Sequence, residues 1–193
     1  MNLVARNVPV ARAIAPNEFR HAMRHLVGGV SVITAGRGGD ISGMTVTSAS
    51  SLAVDPPTLI VAINRGASSL PLLRRYGAFG VNILSGEQVD VAERFAGKGG
   101  LKGTERFAGS VWATGPSGVP LLRDALVAVG CEVEEIIERH SHAIVIGHVV
   151  HLASTEGPAA LAYWRGKYLA VEQDRDASRL AEVSLPTSRA LWD

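Results

Sequence analysis

Cysteine is almost absent from this chain, which has a single one, Cys131, among 193 residues. A lone cysteine excludes an internal disulfide. Because Cys131 stands inside an apolar run with no base beside it, we interpret it as a small buried hydrophobic side chain rather than a nucleophile. Cysteine usage of this kind suits a reducing cytoplasm, where disulfides are rare.

An excess of charge of one sign is also lacking, since 19 Lys and Arg stand against 18 Asp and Glu. The chain contains no basic run, so we expect no nucleic-acid partner. No apolar stretch is long enough to cross a bilayer, so we expect no membrane partner. Residues 1–15 are interrupted by Arg6, Pro9 and Arg12 and lack the continuous apolar segment of a signal peptide.

Several sequence motifs that are typical of particular enzyme classes are missing. No Gly-x-Gly-x-x-Gly follows a predicted strand, and no Gly-x-Ser-x-Gly occurs, which argues against a Rossmann dinucleotide site and a serine hydrolase. His21 and His25 have helical spacing but lack the glutamate of a zinc-protease helix. Four further histidines lie close together in sequence: His140, His142, His148 and His151. They have neither a thiolate nor an acidic cluster beside them, so we predict no metal site.

What the sequence does contain is a succession of short β-type segments. Hydrophobic periodicity predicts helices at 16–26, 68–76 and 87–95, with Ser68 or Ser69 capping the second and Ser85 the third. It predicts strands at 30–35, 41–49, 58–63 (fully buried), 79–84, 126–137, 143–152 and 161–171, the last as one strand or two. The Gly-rich segment 96–118 is expected to be mostly loop.

This pattern predicts a single-domain, mainly β protein with a few helices. So many strands with so few helices favour a closed or partly closed barrel over alternating βαβ units. We assign residues 1–15 to an N-terminal extension, 16–171 to the barrel domain and 172–193 to a C-terminal tail.

The segment from Gly43 to Ile63 is unusual because its first half is rich in hydroxyl groups. On a strand, Thr45 and Thr47 share one face while Met44, Val46 and Ser48 share the other. Such a strand can pack one face on the core and offer hydroxyl and backbone groups to a polar ligand. It can equally be an ordinary Thr-rich antiparallel strand, since Thr favours sheets.

The next segment, residues 64–69, leaves a strand and enters a helix. Its free backbone N–H groups, Arg65 and two hydroxyls could bind a phosphate at the helix N-terminus. The alternative is plain capping of the helix by one serine. A third feature is His142, at a predicted turn over residues 139–142, which could contact substrate and transfer protons or be a solvated turn residue.

Taken together, several segments resemble, in order and spacing, the short flavin reductases of two-component flavin monooxygenases. They are "GMTVTSASSLAVDPPTLIVAI", "SSLPLL", "FGVNILSGEQVDVAERFAGK", "RFAG", "HAIVIGHVV" and "YWRGKY". The resemblance covers roughly residues 19–168. It implies the FMN-binding split β-barrel fold, Greek-key-like and of one domain.

The resemblance also implies a set of site residues. Those bordering the flavin would be Thr45, Val46, Thr47, Ser48, Ser50, Ser51, Ile63, Asn64, Arg65, Ser68, Ser69, Phe95 and Ala96, with Ser68 and Ser69 on the phosphate. The nicotinamide side would be formed by His142, Tyr163, Trp164, Arg165 and Gly166, with His142 in a catalytic role. Two departures from the family pattern are His140-Ser141 in place of Gly-Asp, and Trp164 in place of the second Tyr.

The activity implied is an NAD(P)H:flavin oxidoreductase. Hydride would pass from NADH or NADPH to FMN or FAD, and the reduced flavin would diffuse to a separate monooxygenase component. The resemblance further implies a homodimer. The alternatives are a non-catalytic flavin-binding or carrier protein on the same fold, an oxidase on a related barrel, and a small interaction module.

Overall fold

The computed structural model describes residues 13–157 and 159–172. The described residues form three α-helices: α1 (Pro16–Met23), α2 (Ser69–Tyr76) and α3 (Val89–Phe95). They form twelve strands: β1 (Gly28–Gly29), β2 (Ser31–Arg37), β3 (Asp40–Val46), β4 (Ser50–Ala53), β5 (Thr58–Asn64), β6 (Ala78–Ile83), β7 (Trp112–Thr114), β8 (Pro120–Leu122), β9 (Val127–Arg139), β10 (His142–Ser154), β11 (Ala159–Trp164) and β12 (Lys167–Glu172). The predicted extension (1–15) and tail (172–193) lie almost wholly outside the described residues, so these domain limits stay a prediction.

Seven of the strands form one antiparallel sheet in the order β3-β2-β6-β9-β10-β5-β4. A three-stranded sheet, β1-β11-β12, and the β7-β8 hairpin complete the β structure of the described residues. The Val30 amide donates to the Leu161 carbonyl, and the Leu161 amide donates to the Leu84 carbonyl, so backbone hydrogen bonds attach the small sheet to the large one. The prediction of a mainly β fold is therefore confirmed.

The two edges of the large sheet approach each other without pairing as strands. The hydroxyl of Ser48, just after β3, donates to the carbonyl of Ala62 in β5 at 2.8 Å. The hydroxyls of Ser42 and Ser68 are 2.7 Å apart and join β3 to the start of α2. In a closed barrel, backbone hydrogen bonds between strands would join these two edges. Here side-chain hydrogen bonds join them instead, which agrees with the predicted split barrel.

The large sheet carries apolar side chains on both faces, each in its own core cluster. One cluster includes Ile33, Phe79 and Leu73 and lies under α2. The other includes Phe95 and Leu161 and lies under α3 and the β7-β8 hairpin. Because both faces are covered, the sheet gives a rigid support to the loops at its ends.

Several boundaries differ from those predicted. α1 ends at Met23 and buries none of its residues. β5 alternates between buried and half-buried positions, so it is not fully buried as predicted, because only one of its faces reaches the core. Gln88, not Ser85, precedes α3, and its side chain accepts a hydrogen bond from the Ser85 amide. Segment 96–118 contains β7 in addition to loop and two 3₁₀ turns, since Trp112 packs into the second core cluster.

Cys131 is fully buried in β9, as predicted, and burial raises the pKa of its thiol to about 12. None of the helices within the described ranges is long and apolar enough to cross a membrane.

Candidate functional site

The alternation predicted for the hydroxyl-rich strand is present in β3. Met44 and Val46 pack against the core cluster under α2. Thr45 points to the opposite side, where its hydroxyl donates to the Ala92 carbonyl of α3 at 2.6 Å. Gly43 lies on the same side as Thr45, and a Cβ there would fall 2.7 Å from the Phe95 ring. The strand is therefore fixed between the sheet core and α3.

Most of the hydroxyl groups between Thr45 and Ser51 donate hydrogen bonds to backbone carbonyls of the same chain. Thr45 and Ser48 donate to carbonyls of α3 and β5, and the Ser50 hydroxyl donates to the adjacent Ser51 carbonyl at 3.2 Å. Thr47 and Ser51 are exposed. Because three hydroxyls are already used as donors, backbone groups at the end of β3 are the better partners for a ligand ring.

A cavity of about 240 Å³ lies at the end of β3. Its lining combines four predicted flavin residues, Thr45, Val46, Thr47 and Ala96, with Val30, Tyr163 and Tyr168. We call this cavity the β3 pocket. The structure thus places residues from both predicted sets, flavin and nicotinamide, on one concave surface.

Phe95 occupies a different position from its neighbour Ala96. Its ring is 1% exposed and meets Phe107 at 5.0 Å and Trp112 at 5.4 Å between centroids. Phe95 therefore supports the wall of the β3 pocket from behind.

Tyr168 is a residue of this pocket that the sequence reasoning did not select. Burial, followed by the proximity of Tyr163 and Glu93, raises its pKa above the ordinary tyrosine value. Its ring lies 5.2 Å from that of Tyr163, across the β11-β12 hairpin. The phenol stays protonated near neutral pH and can donate a hydrogen bond. Its place at the end of the "YWRGKY" motif was the available signal.

The predicted phosphate site lies at the start of α2. Ser68 takes the N-cap position, but its hydroxyl bonds to Ser42 instead of capping the helix. Ser69 is fully buried, and its hydroxyl has no hydrogen-bond partner among the described residues. A buried hydroxyl without a partner is costly. An anion at this helix N-terminus would supply one, so the residues present fit a flavin phosphate.

Arg65 and Asn64 lie beside this helix start and already have protein partners. Arg65 forms an ion pair with Glu138 at 3.0 Å and donates to the His140 carbonyl at 3.2 Å. The Asn64 side chain accepts from the Gly66 amide at 2.8 Å. Both line a cavity of about 460 Å³ that also includes His140 and Ser141. Ile63, one residue earlier, is fully buried in the core.

His142 begins β10, directly after the two-residue turn His140-Ser141, and lies opposite Asn64 in the β5 pairing. Its ring is exposed, and Nδ1 lies 2.9 Å from the Ser141 hydroxyl. Tyr163 and Trp164 belong to the small sheet, and Arg165 and Gly166 to the turn that follows them, whereas His142 lies on the large sheet. The role of His142 stays a prediction.

Two further features lie away from these residues. Among residues 13–157 and 159–172, no three His, Cys, Asp or Glu side chains are grouped as metal ligands. A cavity of about 730 Å³ beside β7 and β8 contains none of the predicted site residues.

Comparison with known proteins agrees with this geometry. The model of the flavin reductase like domain matches residues 23–172. The FMN reductase (NADH) RutF of Pseudomonas syringae is 36% identical over 161 residues, covering 83% of this chain and 89% of that protein. The reductase subunit HsaB of a flavin-dependent monooxygenase from Rhodococcus jostii is 30% identical, covering 86% and 83%.

A solved structure is similar over nearly the whole of the described fold. The NADH:FAD oxidoreductase of Streptomyces globisporus C-1027, in complex with NAD and FAD fragments, superposes with a TM-score of 0.75 at 25% identity. The match covers 86% of this chain and all of that one. The chain therefore belongs to the flavin reductase like domain family.

Proposed function

We propose that this chain is an NADH-dependent flavin reductase that supplies reduced FMN or FAD to a separate monooxygenase. The observation that carries the proposal is the β3 pocket, where the end of the hydroxyl-rich strand meets Ala96 and Tyr163. RutF acts as an FMN reductase with NADH, and HsaB is the reductase subunit of a monooxygenase. Family membership and the pocket support the same activity.

The two bound cofactors supply the hydride donor and the hydride acceptor, so the protein needs no nucleophile of its own. What the chain provides is placement. Ser68, Ser69 and the N-terminus of α2 hold the flavin phosphate, with Arg65 beside them. Backbone groups at the end of β3 border the flavin ring. Tyr163 and Tyr168 form the opposite wall and exclude water from part of it.

His142 is the proposed contact with the nicotinamide. The Ser141 hydroxyl holds Nδ1 and thereby orients the ring, which leaves Nε2 to face a substrate. In this chain Ser141 takes the position that an acidic residue has in the family pattern, so orientation comes from a neutral hydrogen bond.

We also propose a homodimer, because a group of apolar side chains lies exposed on β4, on the β4-β5 turn and on the second half of β10. They are Leu52, Val54, Val150 and Leu152. The Pro57 carbonyl accepts from the Val149 amide, which places the β4-β5 turn beside the second half of β10. We call these four side chains the β4/β10 patch. A second copy of the chain would remove this patch from water.

Anaerobic stopped-flow absorbance tests the activity, with NADH or NADPH mixed against the protein and FMN or FAD. We expect bleaching of the oxidised flavin well above the protein-free rate, faster with NADH than with NADPH. A perturbed flavin spectrum without bleaching would instead identify a flavin carrier. No spectral change with either flavin would refute the proposal.

The same instrument tests His142. His142→Ala is expected to slow flavin reduction or raise the KM for NADH while leaving the flavin Kd unchanged. His148→Ala is the matched control, because His148 lies on the same strand opposite Thr58, six residues after His142. Equal kinetics in the two variants would reduce His142 to a turn residue.

A further inference from the structure

A second cavity adjoins the β3 pocket. It has a volume of about 530 Å³ and shares Thr47 and Tyr163 with that pocket. The rest of its wall comes from the end of α1, from the segment between α1 and β1, and from the turn that joins β11 to β12. We call it the α1 cavity. Because the two cavities share wall residues, a molecule that reacts in the β3 pocket can extend into the α1 cavity.

The α1 cavity is lined by three arginines, Arg20, Arg24 and Arg165, and by no acidic side chain. In the part of the chain that the structure describes, none of the three forms an ion pair with a carboxylate. The Arg165 guanidinium lies 2.9 Å from His25 Nδ1 and over the Trp164 ring, so none of the neighbours of the three arginines neutralises their positive charge. The three guanidinium groups match an anion with more than one charged group, such as a pyrophosphate.

Part of the remaining lining is apolar. Met23, Leu26 and Val27 are 47%, 70% and 56% exposed, and α1 has no buried residue. A lining that combines apolar side chains with guanidinium groups is suited to a ligand that joins an aromatic ring to phosphates. It is poorly suited to a free inorganic anion, which would leave the apolar side chains exposed.

Two of the arginines, Arg24 and Arg165, are held to each other before any ligand binds. The Arg165 amide donates to the Arg24 carbonyl at 3.1 Å, and Arg24 Nη2 donates back to the Arg165 carbonyl at 2.9 Å. The Trp164 indole donates to the His25 carbonyl at 3.2 Å. Gly166, at φ +87°, permits this approach, since a Cβ there would lie 2.9 Å from Arg24 Nη2. Such preorganisation lowers the entropic cost of binding.

We propose that Arg20, Arg24 and Arg165 bind the phosphate groups of the nicotinamide dinucleotide, whose adenosine lies on the apolar side chains at the end of α1 and just after it. This inference rests on the proposed reductase activity. It adds a binding site for the ADP-ribose part of the electron donor, which takes no part in hydride transfer. It assigns to α1, which contributes nothing to the buried core, the task of binding the dinucleotide.

ADP-ribose is the probe, because it is the dinucleotide without its nicotinamide ring. Calorimetry should show that the wild-type chain binds ADP-ribose, and steady-state kinetics should show competition with NADH. Arg20→Gln, and Arg20→Gln combined with Arg24→Gln, should each weaken ADP-ribose binding and raise the KM for NADH, the double variant by about tenfold or more. The flavin Kd and the kcat at saturating NADH should be unchanged.

Arg123→Gln is the matched control, because it removes the same charge from an exposed arginine in the cavity beside β7 and β8. Arg20→Gln guards against misfolding, since the Arg20 side chain bonds only to Asn17 within its own helix. Unchanged ADP-ribose affinity in the double variant overturns the inference while leaving the reductase activity intact. A loss of flavin affinity with unchanged ADP-ribose binding overturns it too, since the arginines would then serve the flavin. Failure of the wild type to oxidise NADH refutes the reductase activity separately.

Discussion

Ser69 gives the sharpest prediction for a single side chain. Its buried hydroxyl lacks a partner in the described structure, so it lowers the free energy of unfolding of the flavin-free protein. Ser69→Ala should therefore stabilise the flavin-free protein by about 1 kcal/mol in urea unfolding. The same variant should bind FMN more weakly, as measured by fluorescence titration. Ser110→Ala is the control, because the Ser110 hydroxyl accepts from Arg94 far from α2. Loss of stability without loss of flavin affinity would remove Ser69 from the phosphate site.

Cys131 gives a prediction about alkaline pH. Burial raises the pKa of its thiol to about 12, whereas the unfolded thiol ionises near its ordinary value. Above that ordinary value the unfolded state binds fewer protons, so the free energy of unfolding falls as pH rises, until the pH reaches about 12. The slope is at most about 1.4 kcal/mol per pH unit from this group.

The measurement compares wild type with Cys131→Ala in urea titrations from pH 8 to pH 11. Tyrosines and lysines titrate equally in both proteins, so the difference between the two curves reports the thiol. We expect a steeper decline in the wild type. Parallel curves would show that the buried thiol ionises normally.

Among the elements, the contact between β3 and α3 supports the β3 pocket. Gly43→Ala would place a Cβ 2.7 Å from both the Ile33 carbonyl and the Phe95 ring. Because Phe95 is packed between two other rings, it cannot yield freely, and we expect a loss of about 1–3 kcal/mol and weaker flavin binding. Gly39→Ala is the control, since a Cβ there meets nothing within 4 Å. Equal thermal midpoints for the two variants would contradict this.

Turns and helix ends could be predicted from the sequence where they depend only on residues adjacent in the chain. The Gly38-Gly39 turn lies in the gap between the predicted strands 30–35 and 41–49, and the His140-Ser141 turn lies within the predicted turn 139–142. The cap of α3 was not, because Ser85 instead pairs with Ala160 in the small sheet and its amide bonds to Gln88. The pairing of Ser85 with the small sheet therefore outweighs the tendency of serine to cap a helix.

The candidate site also contains residues that could be predicted from the sequence and residues that could not. Thr45 to Thr47 were identified from their pattern and family resemblance, and the structure places them on the β3 pocket. Tyr168 was missed because its place in that pocket depends on the pairing of β12 with β11. The unpaired hydroxyl of Ser69 could not be predicted at all, since it follows from how α2 packs on the sheet.

For the whole molecule, the β4/β10 patch predicts how two chains associate. Leu152→Asp should shift sedimentation velocity from dimer to monomer, because a carboxylate in an apolar interface is costly to desolvate. Val111→Asp is the control, since Val111 is similarly exposed, at 58% against 62%, but lies outside the patch. A monomeric wild type, or a dimeric Leu152→Asp, would contradict the proposed interface.

β3 has a further consequence as the last strand of the seven-stranded sheet. Arg106 covers part of its outer edge by donating to the Gly43 carbonyl at 2.9 Å, and whatever part of a strand edge stays uncovered is a template on which other chains can assemble into aggregates. Here the residues at the end of that edge are the ones proposed to border the flavin, so the cofactor would act as a protective cover for it. Flavin-free protein should then be the more difficult form to concentrate and store, and the cell's supply of flavin would govern how much of the enzyme stays in solution as well as how fast it works.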